Sequence, residues 1–188
     1  MRSLSTYTRV LMPVIGSVAL LAPPVAHADT TLTDLVDAAA GRLQVADDVA
    51  AAKWHSGAAI EDPARVHQQL VALASAAQVE HLDPDYVTRV FTDQIDATEA
   101  AEHYRFAQWK LDPAAAPAAG PDLAAPRAKI DGFNRVMLTQ IGLQWQQLHA
   151  PDCAARRDEA VRDVGAARQL DEFYRQALTA ATRDYCAG

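Results

Sequence analysis

Residues 33–65 are TDLVDAAAGRLQVADDVAAAKWHSGAAIEDPAR, and the part before Ser56-Gly57 predicts a helix from about Thr33 to Trp54. A spacing that alternates between four and three residues puts one set of side chains on a single helix face. That set is Leu35, Ala39, Arg42, Ala46, Val49 and Lys53. Two cations therefore interrupt a face that would otherwise be apolar. On an ideal helix they lie on the same side, roughly 16 Å apart along the axis.

Buried cations need partners, because an unpaired charge inside a protein is strongly unfavourable. Two interpretations follow from the residues alone. In one, a small dianion binds between the cations. In the other, acids within the fold pair with them as an ion network. The groups of that network are Arg42, Lys53 and Arg65 with Asp62, Glu99 and Glu102.

Two Asp-Pro pairs predict the starts of the next helices. Asp62-Pro63 and Asp83-Pro84 each place an aspartate at the N-cap and a proline at the first helical position. The helix after Pro84 again carries polar groups within its apolar face. That face is Val87, Phe91, Gln94, Thr98, Glu102, Phe106 and Trp109.

An Ala/Pro-rich crossover from Asp112 to Pro126 is expected to separate two helical halves, residues 32–112 and 122–188. A long amphipathic helix is expected from near Leu123 to Leu148, ended by Pro151. One or two shorter helices complete the chain. No alternating pattern predicts a strand. The expected fold is all-α, a single-domain bundle of about six helices.

The N-terminal segment, residues 1–28, has the features of a secretion signal. Arg2 and Arg9 precede an apolar run, and Ala26-His27-Ala28 fits a cleavage site. The run is shorter than the roughly 20 residues of a membrane-spanning helix. We therefore expect an exported domain over residues 29–188 that is released from the membrane, in a periplasm-like space or secreted.

The remaining chain is acidic and contains two cysteines. Removal of Arg2 and Arg9 leaves 15 of the 17 basic residues and all 24 acidic residues, a formal net charge of −9. Nucleic acid is therefore an unfavourable partner. Export into an oxidising compartment predicts a disulfide between Cys153 and Cys186. Its loop of about 34 residues would stabilise the fold by roughly 3 to 4 kcal/mol.

Several common catalytic and metal motifs are absent from the sequence. There is no HExxH, GxSxG or GxGxxG pattern, and two distant cysteines are a poor metal site. The histidines after the signal are interpreted as structural. They are His55, His67, His81, His103 and His149. No metal is expected.

The order and spacing of the polar residues resemble a known family, the all-helical chorismate mutases of the exported gamma subclass. The resemblance spans essentially all of residues 29–188. It is carried by Arg42-Leu43, Lys53-Trp54, the Ile60-Glu61-Asp62-x-x-Arg65 segment with Gln69, Asp83-Pro84-Asp85-Tyr86-Val87, Thr98-Glu99-Ala100-x-Glu102 and Arg127. It implies an enzyme that rearranges chorismate to prephenate without a cofactor, and a homodimer in which each pocket is built from one chain.

The resemblance also implies roles for individual residues. Arg42, Arg65 and Arg127 would hold the two substrate carboxylates, because guanidinium groups pair with carboxylates bidentately. Lys53 would stabilise negative charge on the breaking ether bond. Glu102 would donate a hydrogen bond to the same oxygen, which requires a protonated carboxyl with a raised pKa.

The other implied substrate-binding residues are Asp62, Gln69, Thr98 and Glu99. For Asp62, helix capping is an equal alternative, and both can hold together. Thr98 could instead bond the carbonyl four residues earlier. The rival function is an exported helical protein that binds a small dicarboxylate or a partner helix without turnover.

Overall fold

The computed structural model describes residues 32–186, and every regular element in that range is helical. The helices are α1 Thr33–Gln44, α2 Ala46–Ser56, α3 Pro63–Val79, α4 Pro84–Leu111, α5 Ala124–Leu143, α6 Trp145–Leu148, α7 Cys153–Ala167 and α8 Glu172–Ala181. Short 3-10 turns lie at Pro113–Ala115 and Arg183–Tyr185. The all-α prediction is confirmed. The predicted signal segment, residues 1–28, lies outside the described residues.

The helix predicted from Thr33 to Trp54 is divided at Val45 into α1 and α2. Val45 keeps right-handed helical angles, and its N–H donates to the Arg42 carbonyl three residues earlier at 3.1 Å. This tight bond marks a 3-10 turn between two α-helices. Val45 and Val49 pack there against Ile130 of α5. The chain therefore bends around a neighbouring helix instead of ending.

All six residues of the predicted stripe are buried, including both cations. Arg42 is 2% exposed and Lys53 is 7% exposed. Gly57 ends α2 in the left-handed conformation, at φ 69°. The sequence pattern thus located the buried face of α1 and α2 in spite of the bend.

Asp62 and Asp83 cap α3 and α4 as predicted. Asp62 accepts from the backbone N–H of Arg65, and Asp83 accepts from that of Asp85. Pro63 and Pro84 occupy the first helical turns. These caps fix where the two helices begin, and therefore which α3 and α4 side chains face α1 and α2.

The long helix predicted from Leu123 to Leu148 is interrupted at Gln144. The backbone N–H of Gln144 closes α5, and the single turn α6 follows. The break brings the Trp145 ring edge-on to Tyr86, with ring centroids 5.1 Å apart. Pro126 lies in the first turn of α5, where a missing N–H leaves no helical bond unmade.

Helix α4 runs through the centre of the bundle and packs against α8, α3 and α2, whereas α1 packs against α5 and α7. The predicted disulfide is present. It joins Cys153, the first residue of α7, to Cys186, with Cα atoms 5.7 Å apart. No helix within residues 32–186 is both long and apolar enough to cross a membrane.

Candidate active site

A pocket lies where α1, α2, α3, α4 and the start of α5 meet, with a cavity volume of about 70 Å³. All nine residues predicted for the site line it. They are Arg42, Lys53, Asp62, Arg65, Gln69, Thr98, Glu99, Glu102 and Arg127. Its apolar lining consists of Val49, Ile60, Val66, Ile95 and Ile130. The pocket therefore combines a cationic floor with aliphatic walls.

Arg42 is held at the bottom of this pocket by neutral acceptors. Its Nε donates to Asn134 Oδ1 at 2.8 Å. Its Nη1 donates to the Gln94 carbonyl at 3.0 Å and to Thr98 Oγ1 at 2.9 Å. Burial lowers the pKa of Arg42 to about 10, opposed by Tyr185 and Asp131. The guanidinium thus remains charged at neutral pH.

Lys53 and Glu102 form a buried ion pair within the pocket. Lys53 Nζ donates to Glu102 Oε2 at 2.7 Å and to the Ile60 carbonyl at 2.5 Å. Burial raises the pKa of Glu102, although the bond from Lys53 opposes the shift. The raised direction means that burial outweighs the pairing. A proton is therefore held by Glu102 more easily than by an exposed glutamate.

Arg65 projects from α3 toward α5. Its Nη2 lies 3.3 Å from Asp131 Oδ1, and Gln69 Nε2 lies 3.5 Å from the same oxygen. The Arg65 Nε is buried and has no hydrogen-bond partner among residues 32–186. Asp131 thus contacts two α3 side chains at long hydrogen-bond distances. The Nε of Arg65 remains available as a donor.

Arg127, on the first turn of α5, reaches Asp62 at the start of α3. Its Nη2 donates to Asp62 Oδ2 at 3.2 Å, while Asp62 Oδ1 accepts from the Arg65 backbone N–H at 3.1 Å. One carboxylate therefore caps α3 and binds an arginine. Both side chains of the ion pair are about 40% exposed, at 39% and 41%, which places the pair at the mouth.

Thr98 and Glu99 occupy the α4 wall. The Thr98 hydroxyl donates to the Gln94 carbonyl at 2.7 Å and accepts from Arg42. Its proton is thus used inside the protein, which favours the alternative of a bond to the carbonyl four residues earlier. Burial raises the pKa of Glu99, with Lys53 opposing the shift.

Of the ion network considered from the sequence, the Lys53–Glu102 pair is present. Arg65 and Arg127 form pairs outside that network, with Asp131 and Asp62 respectively. Arg42 forms no ion pair with any described residue. One fully buried cation in the pocket is therefore bonded only to neutral groups. Within residues 32–186 no group of three or more His, Cys, Asp or Glu side chains could hold a metal ion.

Sequence reasoning did not identify Asn134 and Asp131, which contact the predicted arginines. Arg127, Asp131 and Asn134 are spaced by four and three residues on α5, so they share one face. The same periodicity that located Arg42 and Lys53 would have found them. The Ile60 carbonyl had no comparable pattern, because a main-chain acceptor depends on the loop conformation.

Comparison with known proteins decides the family. The model of chorismate mutase type II matches residues 28–103. The secreted chorismate mutase of Mycobacterium tuberculosis is 55% identical over 175 residues, covering 92% of this chain and 88% of the relative. The chain belongs to the type II chorismate mutase family. The secreted chorismate mutase of Mycolicibacterium smegmatis is 51% identical over 180 residues, covering 92% of this chain and 99% of that protein.

Solved chorismate mutases share the fold. The enzyme from Burkholderia thailandensis has a TM-score of 0.80 at 30% identity, covering 84% of this chain and 100% of its own. The enzyme from Burkholderia phymatum has a TM-score of 0.79 at 27% identity, with coverages of 84% and 96%. The predicted chorismate mutase family and all-helical bundle are confirmed, whereas the gamma subclass stays a prediction. The word "secreted" in both relatives' names agrees with the predicted export.

Proposed function

We propose that this member of the chorismate mutase family converts chorismate to prephenate in the pocket that contains Arg42 and Lys53. The observation that carries the proposal is the chemistry of the lining. Four cationic side chains converge on one cavity, and the two deepest are buried on the same helical face. Chorismate carries two carboxylates and an ether oxygen, which is the set of groups that such a cavity can bind.

Arg42 and Arg65 supply donors for the carboxylates. Nε and Nη1 of Arg42 are engaged by neutral groups, which leaves Nη2 as the edge for a ligand. Arg65 has a buried Nε without a partner among residues 32–186. A carboxylate at either group would form charge-assisted hydrogen bonds, which are stronger than neutral ones. Two such anchors restrict the substrate to a reactive conformation.

The rearrangement breaks a C–O bond and forms a C–C bond within one molecule, so it needs no nucleophile. As the C–O bond breaks, electron density moves onto the ether oxygen. A donor aimed at that oxygen lowers the barrier, because the interaction is stronger in the transition state. Lys53 is the buried ammonium of this pocket and serves that role.

Glu102 is the second donor to the ether oxygen. An ionised carboxylate would repel the developing charge, so the working form is protonated. Its burial, which raises the pKa, supports this assignment. When substrate binds, Lys53 exchanges its bond to Glu102 for one to the substrate oxygen, and the protonated carboxyl donates alongside it.

Two cations near the mouth of the pocket change partners when the substrate binds. Arg65 and Arg127 are the partly exposed cations, with side chains 28% and 39% exposed. They exchange Asp131 and Asp62 for a substrate carboxylate.

The direct test uses residues 29–188 with the disulfide formed. Chorismate loss and prephenate formation are followed for the parent and for Lys53→Ala. We expect conversion by the parent and a fall in kcat of about 100-fold or more in the variant. A folded parent that binds chorismate without converting it would instead support the dicarboxylate-binding function.

We also propose that the protein is a homodimer, an expectation drawn from the family resemblance. All nine predicted site residues of one chain line one pocket, which supports the expectation that each pocket is built from a single chain. Sedimentation of residues 29–188 at micromolar concentration is expected to give twice the monomer mass. A monomer with full activity would overturn the dimer and leave the enzymatic proposal intact.

A further inference from the structure

We infer that Asn134 is a positioning residue for substrate binding, because it holds Arg42 in place without neutralising its charge. This inference rests on the proposed function of the pocket. Asn134 is 6% exposed, and its Oδ1 accepts from Arg42 Nε at 2.8 Å. The contact joins the middle of α5 to the end of α1.

The main observation is that the hydrogen-bond acceptors of Arg42 among residues 32–186 are all neutral. The other two acceptors of Arg42 are the Gln94 carbonyl and the Thr98 hydroxyl, which are also uncharged. The other cations of the pocket each pair with a carboxylate. Arg42 is the exception, even though it is the most deeply buried of them. A buried cation bonded only to dipoles has no directly bonded carboxylate that a ligand must displace. Asp131, whose charge acts on Arg42 through space, is in contact with Arg65 and Gln69 instead.

Asn134 also fixes the direction of the guanidinium. The group is planar, and its donors have a fixed geometry. With Nε fixed by α5 and Nη1 fixed by α4, rotation of the plane would break bonds to two helices. Nη2 is therefore held in one direction, and Arg42 lines the pocket. Asn134 acts through Arg42 and has no direct part in bond breaking.

An aspartate at position 134 would have nearly the same shape and would keep an acceptor oxygen. It would also place a carboxylate on Arg42 and compete with the substrate. The added carboxylate has to be displaced from Arg42 before the substrate binds, so the cost is similar for the ground state and the transition state. Losing such uniform binding raises KM and leaves kcat nearly unchanged.

The test measures kcat and KM for chorismate in Asn134→Asp, with Thr139→Asp as the matched control. Thr139 is exposed on the same helix and lies outside the pocket. An aspartate there adds the same charge without contacting Arg42. We expect Asn134→Asp to raise KM at least tenfold with kcat within threefold of the parent. Thr139→Asp should keep the parent KM.

Asn134→Ser provides a second reading should Asn134→Asp fail to fold. Serine is neutral and too short to reach Arg42 Nε, so it tests orientation without adding charge. We expect at least a threefold higher KM and a parent-like kcat. An unchanged KM in the folded variants, or a loss confined to kcat, overturns the inference. An inactive parent overturns the proposed function itself, and the two failures are therefore distinguishable.

Discussion

Lys53 and Glu102 are joined by a 2.7 Å hydrogen bond although their side chains are only 8% and 4% exposed. The two residues lie on different helices, α2 and α4, and they line the same pocket. Burial makes the ionised form of the carboxyl unfavourable, whereas the ammonium stabilises it. The pair is thus a place where a small change in charge alters both catalysis and stability.

Glu102→Gln should remove the decline of activity at high pH. Burial raises the pKa of Glu102, and the protonated carboxyl is the proposed donor. Parent kcat/KM should therefore fall as pH rises through that raised pKa. Glutamine donates a hydrogen bond without titrating, so kcat/KM of the Glu102→Gln variant should stay constant over the pH range in which the parent declines. Glu99→Gln, at the half-buried acid three residues earlier on the α4 wall, should keep the decline. A Glu102→Gln profile as steep as the parent's would contradict the assignment.

Lys53→Met should destabilise the fold in a pH-dependent way. Removing one partner of a buried ion pair costs about 3 to 5 kcal/mol. Glu102 can relieve this by binding a proton, because its pKa in the folded state is raised above the ordinary 4.5. A carboxyl whose pKa is higher in the folded state than in the unfolded state lowers the free energy of unfolding as pH rises. The loss begins near the unfolded-state pKa and is complete above the folded-state pKa.

The Lys53→Met/Glu102→Gln double variant is the matched comparison for that prediction. It has no carboxyl at position 102, so it lacks the contribution of that group to the pH dependence of stability, while all other titrating groups are the same in both variants. Urea unfolding should give the single and double variants similar free energies of unfolding near pH 4. At pH 8 the single variant should be the less stable of the two. Parallel curves at both pH values would show that Glu102 is not the group that titrates.

Local periodicity and capping predicted much of this structure. The alternating spacing located Arg42 and Lys53 on a buried face, and the Asp-Pro pairs marked the starts of α3 and α4. These features depend on residues within one or two helical turns, so a single sequence contains the information. The disulfide followed from having two cysteines and a predicted route of export.

The features that the sequence did not predict depend on distant contacts. The bend at Val45 forms where α1 and α2 meet Ile130, far along the chain. The bond from Arg42 to Asn134 spans 92 positions. The break at Gln144 accompanies the packing of Trp145 on Tyr86. Each depends on which helices become neighbours, and helical periodicity alone does not specify that.

Arg127→Ala should weaken chorismate binding. Arg127 lies at the mouth, bonded to Asp62, and is proposed to bind a substrate carboxylate. Loss of a hydrogen bond between charged groups is worth about 1.5 to 3 kcal/mol, or roughly 10- to 100-fold in KM. Lys129→Ala is the control, because Lys129 is an exposed cation two residues away that pairs with Asp48. Equal KM changes in both variants would indicate a general loss of positive charge.

Reduction of the disulfide should lower stability without removing the pocket. The bond closes a loop over a sequence separation of 33 and connects the start of α7 to the C-terminal segment. Chain entropy predicts a loss of roughly 3 to 4 kcal/mol in the free energy of unfolding. Neither cysteine lines the pocket, so activity at low temperature should persist. Urea unfolding with and without reductant measures the loss, and an unchanged midpoint would show that the C-terminal helices hold together unaided.

Asp62→Ala and Asp83→Ala should differ in function although both remove a helix cap. Each aspartate accepts a backbone N–H at the start of its helix, at 3.1 Å and 2.9 Å. Each alanine variant should therefore lose about 0.5 to 2 kcal/mol of stability. Only Asp62 also bonds Arg127 and lines the pocket. Urea midpoints should fall in both variants, whereas KM should change in Asp62→Ala alone. A parent-like KM in Asp62→Ala would show that Asp62 acts only as a helix cap. The bound substrate itself would then have to orient Arg127.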